Sequence, residues 1–94
     1  MTRIKINGEL DHHSAETVRK YLDRAILKSG DHDILLDLTE LTFMDSSGVG
    51  VLLGRYKLFA ARHLFLTGAN EEIDRLIRLS GLYTVMPQWK EEAV

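Results

Sequence analysis

The chain has 94 residues, 45% of them hydrophobic and 28% charged, with a formal net charge of -2 and no cysteine. Those values suit a small globular domain with a modest core. They argue against a nucleic-acid or polyanion surface, because the cations are scattered and no basic run interleaves with aromatics. Without cysteine there are no disulfides or thiolate metal sites. Charges interrupt the first residues and no apolar run approaches membrane-spanning length, so neither a signal peptide nor a transmembrane helix is read. The expectation is a cytoplasmic protein of one domain over residues 1–94, with its core at about 2–86.

Residues 2–8 alternate, Ile4 and Ile6 against Arg3 and Lys5, which is the period of a half-buried strand. Gly8 to Asp11 read as a turn. Ser14, or Asp11 before it, caps a helix whose Ala15, Val18, Leu22, Ala25 and Ile26 fall on one stripe, and Gly30 ends it. The run 33–38 is apolar enough for a strand covered on both faces. Thr39-Glu40 lead to Leu41, Phe43 and Met44, and then to Asp45-Ser46-Ser47-Gly48, which opens a second helix reaching about Ala61. That helix is apolar nearly all round, so it is expected to be covered. His63 to Thr67 make another strand, and Asn70 caps a third helix with Glu71 and Glu72 in its positive first turn. Gly81 stops that helix, and Leu82 to Met86 read as a last strand before Pro87. Trp89 to Val94 begin a helix too short to hold itself.

Strands alternating with helical crossovers define an α/β fold with a small, mostly parallel sheet and helices packed on it.

The stretch Phe43 to Gly50 concentrates chemistry, with a carboxylate and two hydroxyls at the mouth of a helix. Taken alone it is a helix cap, in which Asp45 or Ser46 accepts a free backbone N–H, worth about 1 kcal/mol. The glycines alone read as close-packing sites. His12 and His13 are adjacent and share no helix face, and His32 and His63 are distant in sequence, so no metal site is read from them. Arg55, Tyr56 and Lys57 read either as solvated helix residues or as contacts.

Taken together, the chain resembles the STAS-domain anti-sigma factor antagonists. The resemblance is carried by Gly8-Glu9-Leu10-Asp11-His12-His13, Ala15-Glu16-Thr17, Asp37-Leu38, Phe43-Met44-Asp45-Ser46-Ser47-Gly48, Gly54-Arg55-Tyr56-Lys57 and Leu79-Ser80-Gly81-Leu82, in unbroken order over about residues 6 to 86. The Asp-His-His and Gly-Arg-Tyr-Lys matches point to its sporulation branch. It implies a protein that binds an anti-sigma factor which is also a serine kinase, so freeing a sigma factor. Phosphorylation of Ser46 ends that binding, and a separate serine phosphatase reverses it. It implies no catalysis, no cofactor, and a monomer or weak homodimer. It also implies a partner surface made of Asp11, His12, His13, Asp45, Ser46, Ser47, Gly48 and Arg55. Ser47, a first-turn residue, is the second hydroxyl. The family's first strand, which forms a hairpin with the strand at 2–8, is missing ahead of residue 2, leaving an edge guarded by Arg3 and Lys5.

Three other readings stand beside this one. A serine hydrolase fails because Gly-x-Ser-x-Gly is absent around Ser46. A nucleotide-binding module lacks a Gly-Lys-Ser/Thr loop. A STAS scaffold or sensor subunit for a different partner is the nearest alternative.

Overall fold

A computed structural model describes residues 1–91. Its strands and helices, in chain order, are β1 (Thr2–Lys5), β2 (Gly8–Leu10), α1 (Ala15–Lys28), β3 (Ile34–Asp37), β4 (Leu41–Met44), α2 (Ser46–Leu58), β5 (Leu64–Thr67), α3 (Glu71–Ser80) and α4 (Leu82–Val85). Five strands pair in parallel throughout, as the crossover pattern requires. Strands β1, β3 and β5 form a three-stranded sheet with β3 central, and β2 with β4 form a separate pair.

The core follows from the sequence periodicities. All four residues of β3 are buried, as its apolar run predicts. Ile4 and Ile6 turn inward from the first strand, while Leu22 and Ile26 of α1, Leu52 of α2 and Ile73 and Ile77 of α3 close over the sheet. Helix α3 has the start and stop the sequence announces. Asn70 Oδ1 accepts the Ile73 N–H at 2.9 Å, and Gly81 leaves the helix at φ 77°, a conformation that only glycine adopts without cost.

Four expectations are corrected. Gly8 to Leu10 is a short strand rather than a turn, pairing with β4 across a register shift at Gly8/Glu9. Leu82 to Met86 is a helical turn rather than a strand, because Leu82 and Met86 are buried while Thr84 between them is exposed, and a strand would put all three on one face. The row that lines β5 comes three residues later. The Leu66 N–H donates to Pro87 O at 3.0 Å and the Trp89 N–H to Leu66 O at 2.7 Å, while the Trp89 and Phe65 rings meet edge to face. Trp89 therefore starts no helix, and the rest of that expectation, from residue 92 on, lies outside the described residues. Arg3 is not a free edge guard either, since it pairs with Asp37 and with Glu91.

Asp37 ends β3 as a latch. Its carboxylate, 3% exposed, accepts the N–H and hydroxyl of Thr39 and a 2.6 Å bond from Arg3, tying β3 to the turn into β4 and to β1. Burial pushes this carboxyl up, but the Thr39 and Arg3 bonds outweigh it and hold it below its ordinary value. A depressed folded-state value confers stability that is complete above the unfolded value and lost as pH falls through the folded one. The melting temperature is expected to drop on acidification from about pH 6 to about pH 3. Asp37→Asn should melt lower at neutral pH and show a shallower acid slope in circular-dichroism melts. Equal slopes would assign the acid loss to other carboxylates.

Candidate functional site

Because β2 and β4 run parallel, their carboxyl ends lie side by side, and the two loops that leave them meet. Ligands of parallel sheets gather at that end of the strands. The loop after β2 carries Asp11, His12 and His13. The loop after β4 is a single residue, Asp45, followed at once by Ser46 as the first residue of α2.

Each loop is fixed by a carboxylate. Asp11 Oδ1 accepts the N–H groups of His13 (2.9 Å) and Ser14 (3.0 Å), and these donors, the Ser14 N–H foremost, hold its carboxyl below the ordinary value. Ser14 occupies the cap position of α1, yet its hydroxyl serves the loop instead, donating to Glu9 O at 2.8 Å and accepting the Asp11 N–H at 3.0 Å. Asp45 caps α2, accepting the N–H groups of Ser47 (2.9 Å) and Gly48 (3.3 Å). That decides between the two cap candidates and leaves Ser46 free. The Ser46 side chain is exposed, and among the described residues no side chain hydrogen-bonds its hydroxyl.

The loops are joined by Leu10. Its carbonyl accepts the Asp45 N–H at 3.3 Å, and His12 Nδ1 stands 3.8 Å from Asp45 Oδ2. The His12 and His13 rings lie against each other, 3.9 Å between centroids. Seven of the eight residues expected at the partner surface are thus gathered here, although Gly48 is buried beneath it and supplies no exposed side chain.

Arg55 is the exception. Its side chain is turned inward, 7% exposed, with Nε 2.9 Å from Asp23 Oδ1 of α1. The angle is too bent for a hydrogen bond, and Nη1 finds no partner among the described residues. The expectation of a contact role for Arg55 is therefore corrected to a brace between α1 and α2. Nothing in the sequence marked Asp23, 32 positions away, as its counter-charge. Phe43 is the reverse case. A large apolar residue in the strand that leads into the cap, it is 45% exposed on β4.

The arrangement presents a surface rather than a cleft. Grooves of about 450, 310 and 350 Å³ lie along α1, between α2 and β5, and beside β1, and none of the eight residues lines them. Among the described residues no three His, Asp or Glu side chains are grouped to hold a metal ion. The ring of His12 approaches Asp45, and among the described residues no base hydrogen-bonds the Ser46 hydroxyl.

The chain belongs to the STAS domain family, whose match spans residues 1–93. It is 42% identical over 91 residues to the anti-sigma F factor antagonist of Paenibacillus polymyxa, covering 95% of this chain and 78% of that one. Two solved structures of SpoIIAA share the fold. The anti-sigma factor antagonist SpoIIAA in its unphosphorylated form superposes with a TM-score of 0.65 at 30% identity, covering 98% of this chain and 79% of that one. The Bacillus cell fate determinant SpoIIAA in the phosphorylated form gives 0.66 at 34%, covering 95% and 82%.

The joint between the loops depends on Gly48. A Cβ there would stand 2.7 Å from the Leu10 carbonyl oxygen and 2.5 Å from Met44 Cγ, whereas at Gly50 it would meet nothing within 4 Å. Alanine gains up to about 1 kcal/mol over glycine inside a helix, while overpacking against backbone costs about 1–3 kcal/mol. Gly48→Ala is therefore expected to lower the urea midpoint and Gly50→Ala to raise it. A stabilised Gly48→Ala would show that the loops are not held this way.

Proposed function

We propose that this chain is an anti-anti-sigma factor. It binds an anti-sigma factor that is also a serine kinase, thereby releasing a sigma factor in the cytoplasm, and phosphorylation of Ser46 switches it off until a serine phosphatase removes the phosphate. The observation that carries the reading is the exposed, unengaged Ser46 hydroxyl at the first position of α2, in a chain whose relatives are named anti-sigma factor antagonists. The likeness to SpoIIAA in both phosphorylation states supports a reversible modification. Asp11, His12, His13, Asp45 and Ser47 surround Ser46 on the docking face and give it shape. No catalytic role is assigned to any of them, and no cofactor is needed.

The free energies explain how one group switches binding without unfolding the domain. A phosphate at a helix start is favoured by the unpaired N–H groups and the dipole by about 0.3–2 kcal/mol. An uncompensated charge buried in an interface costs on the order of 3–5 kcal/mol. At about 1.4 kcal/mol per tenfold, the complex weakens by roughly a hundred- to several-thousand-fold. The interface effect is the larger, so the partner leaves and the fold stays.

Incubation with an anti-sigma serine kinase and ATP is expected to place label on Ser46, mapped by mass spectrometry, with loss of the complex. Ser46→Ala should bind but resist switching, and Ser46→Asp should bind weakly at an unchanged melting temperature. Label on Ser47 alone, or full affinity of Ser46→Asp, would contradict the proposal.

A further inference from the structure

Phe43 poses a problem of placement. It is a large apolar side chain, 45% exposed, in a 94-residue chain that has only seven aromatic residues of the Phe, Trp and Tyr types. Its neighbours on β4, Leu41 and Met44, are buried at 1% and 6%, so the strand itself is well seated and Phe43 is not the product of a loose edge. Two others of the exposed aromatics are accounted for within the fold. Trp89 meets Phe65 edge to face, and the Tyr21 hydroxyl donates to Lys5 O at 2.9 Å. Phe43 is absent from the apolar side chains packed on the core.

Its position relates it to the switch. Residues two apart on an extended strand share a face. The register shift at Gly8/Glu9 resets the alternation along β4, so Phe43 turns away from Leu41 and faces the same way as Asp45, whose backbone is extended, with Glu9 as its cross-strand partner. The ring sits three residues before Ser46, among Glu9, Asp11 and Asp45, and no Lys or Arg occurs between residues 8 and 14 or between 40 and 49.

We infer that Phe43 is the apolar anchor of the docking face and inserts into an apolar socket on the anti-sigma factor, beside the Ser46 hydroxyl. The inference rests on the proposed function and adds the chemistry of the partner's surface. A phosphate that must expel the partner sets that chemistry. If the surface opposite Ser46 were rich in Lys and Arg, it would bind the phosphorylated chain more tightly, as clustered arginines do phosphoserine. The surface over the Phe43 ring is therefore apolar, the nucleotide site of the kinase is confined to Ser46, and cations that answer Glu9 belong at the rim, where they speed encounter rather than hold the complex. An aromatic side chain that is already rigid on a strand and buried at the centre of an interface is the usual form of a binding hot spot.

The test uses the full chain and its anti-sigma kinase, with affinities from calorimetry for the unmodified protein, Phe43→Ala, Phe43→Thr and Ser46→Asp. Threonine keeps the strand preference of the site, so it serves if the alanine variant folds poorly. Both Phe43 variants are expected to weaken binding at least about thirtyfold with little change in melting temperature. Hydroxyl-radical footprinting of the unmodified chain should show the Phe43 ring protected in the complex. If Ser46→Asp loses affinity while both Phe43 variants stay within about threefold and the ring remains reactive, the anchor is refuted and the switch stands. If neither site matters, the proposed function falls with it.

Discussion

The close approach of α2 to the end of β2 is the constraint on which the site depends. At Gly48 the helix has no side chain, so its first turn sits directly on the Leu10 carbonyl, which also accepts the Asp45 N–H. From this one contact follow the adjacency of the two loops, the approach of His12 to Asp45, and the outward presentation of Ser46. The forces are individually small, with a cap worth about 1 kcal/mol and a backbone hydrogen bond of similar size. A domain of this length is stable by only about 5–14 kcal/mol in total, so a disturbance of one or two kcal/mol at this junction is felt by the whole fold.

The cap also shapes how the proposed switch at Ser46 behaves. Asp45 already holds the N–H groups of Ser47 and Gly48, two of the donors that a helix start offers an anion. A phosphate on Ser46 competes with that carboxylate for them at close range, which moves its benefit toward the lower end of the range for helix termini. The folded state is thus nearly indifferent to modification, and the effect of the charge is left to whatever covers the face. A serine with a free, empty helix start beside it would stabilise its own domain when phosphorylated and couple the switch to folding. The capped arrangement keeps the two apart.

Much of this was legible in the sequence, and the exceptions share a cause. Helix α3 could be read from Asn70 and Gly81 because a cap and a stop are local chemistry, and β3 from its unbroken apolar run. Strand β2 was missed because three residues with one buried side chain carry no period, and because what makes them a strand is β4, thirty residues away. The turn at Leu82–Val85 reads as a strand since Val85 and Thr84 favour extended backbone, but burying Leu82 and Met86 while Thr84 stays outside requires a helical turn. At the site, Asp45, Ser46 and Ser47 stand where a helix-mouth motif places them. Arg55 reads as a surface residue because only the tertiary structure brings Asp23 against it, whereas Gly48 is the close-packing glycine the sequence allows, buried beneath the face.

The same logic explains why the proposed docking face falls on β2 and β4 rather than on the three-stranded sheet. In that sheet β3 is covered on both sides, so its apolar residues are buried and Asp37 is taken up by the latch to Thr39 and Arg3. The two-stranded pair has helices against one side only. Leu10, Leu41 and Met44 go inward to anchor it, while Glu9, Thr42 and Phe43 remain outside at no loss to the core. A partner surface needs side chains that are rigidly held yet contribute little to folding, so that they can vary or be modified without unfolding their own domain. A short parallel pair joined to a capped helix meets both requirements, because its inward residues fix the backbone and its outward ones are left free for recognition.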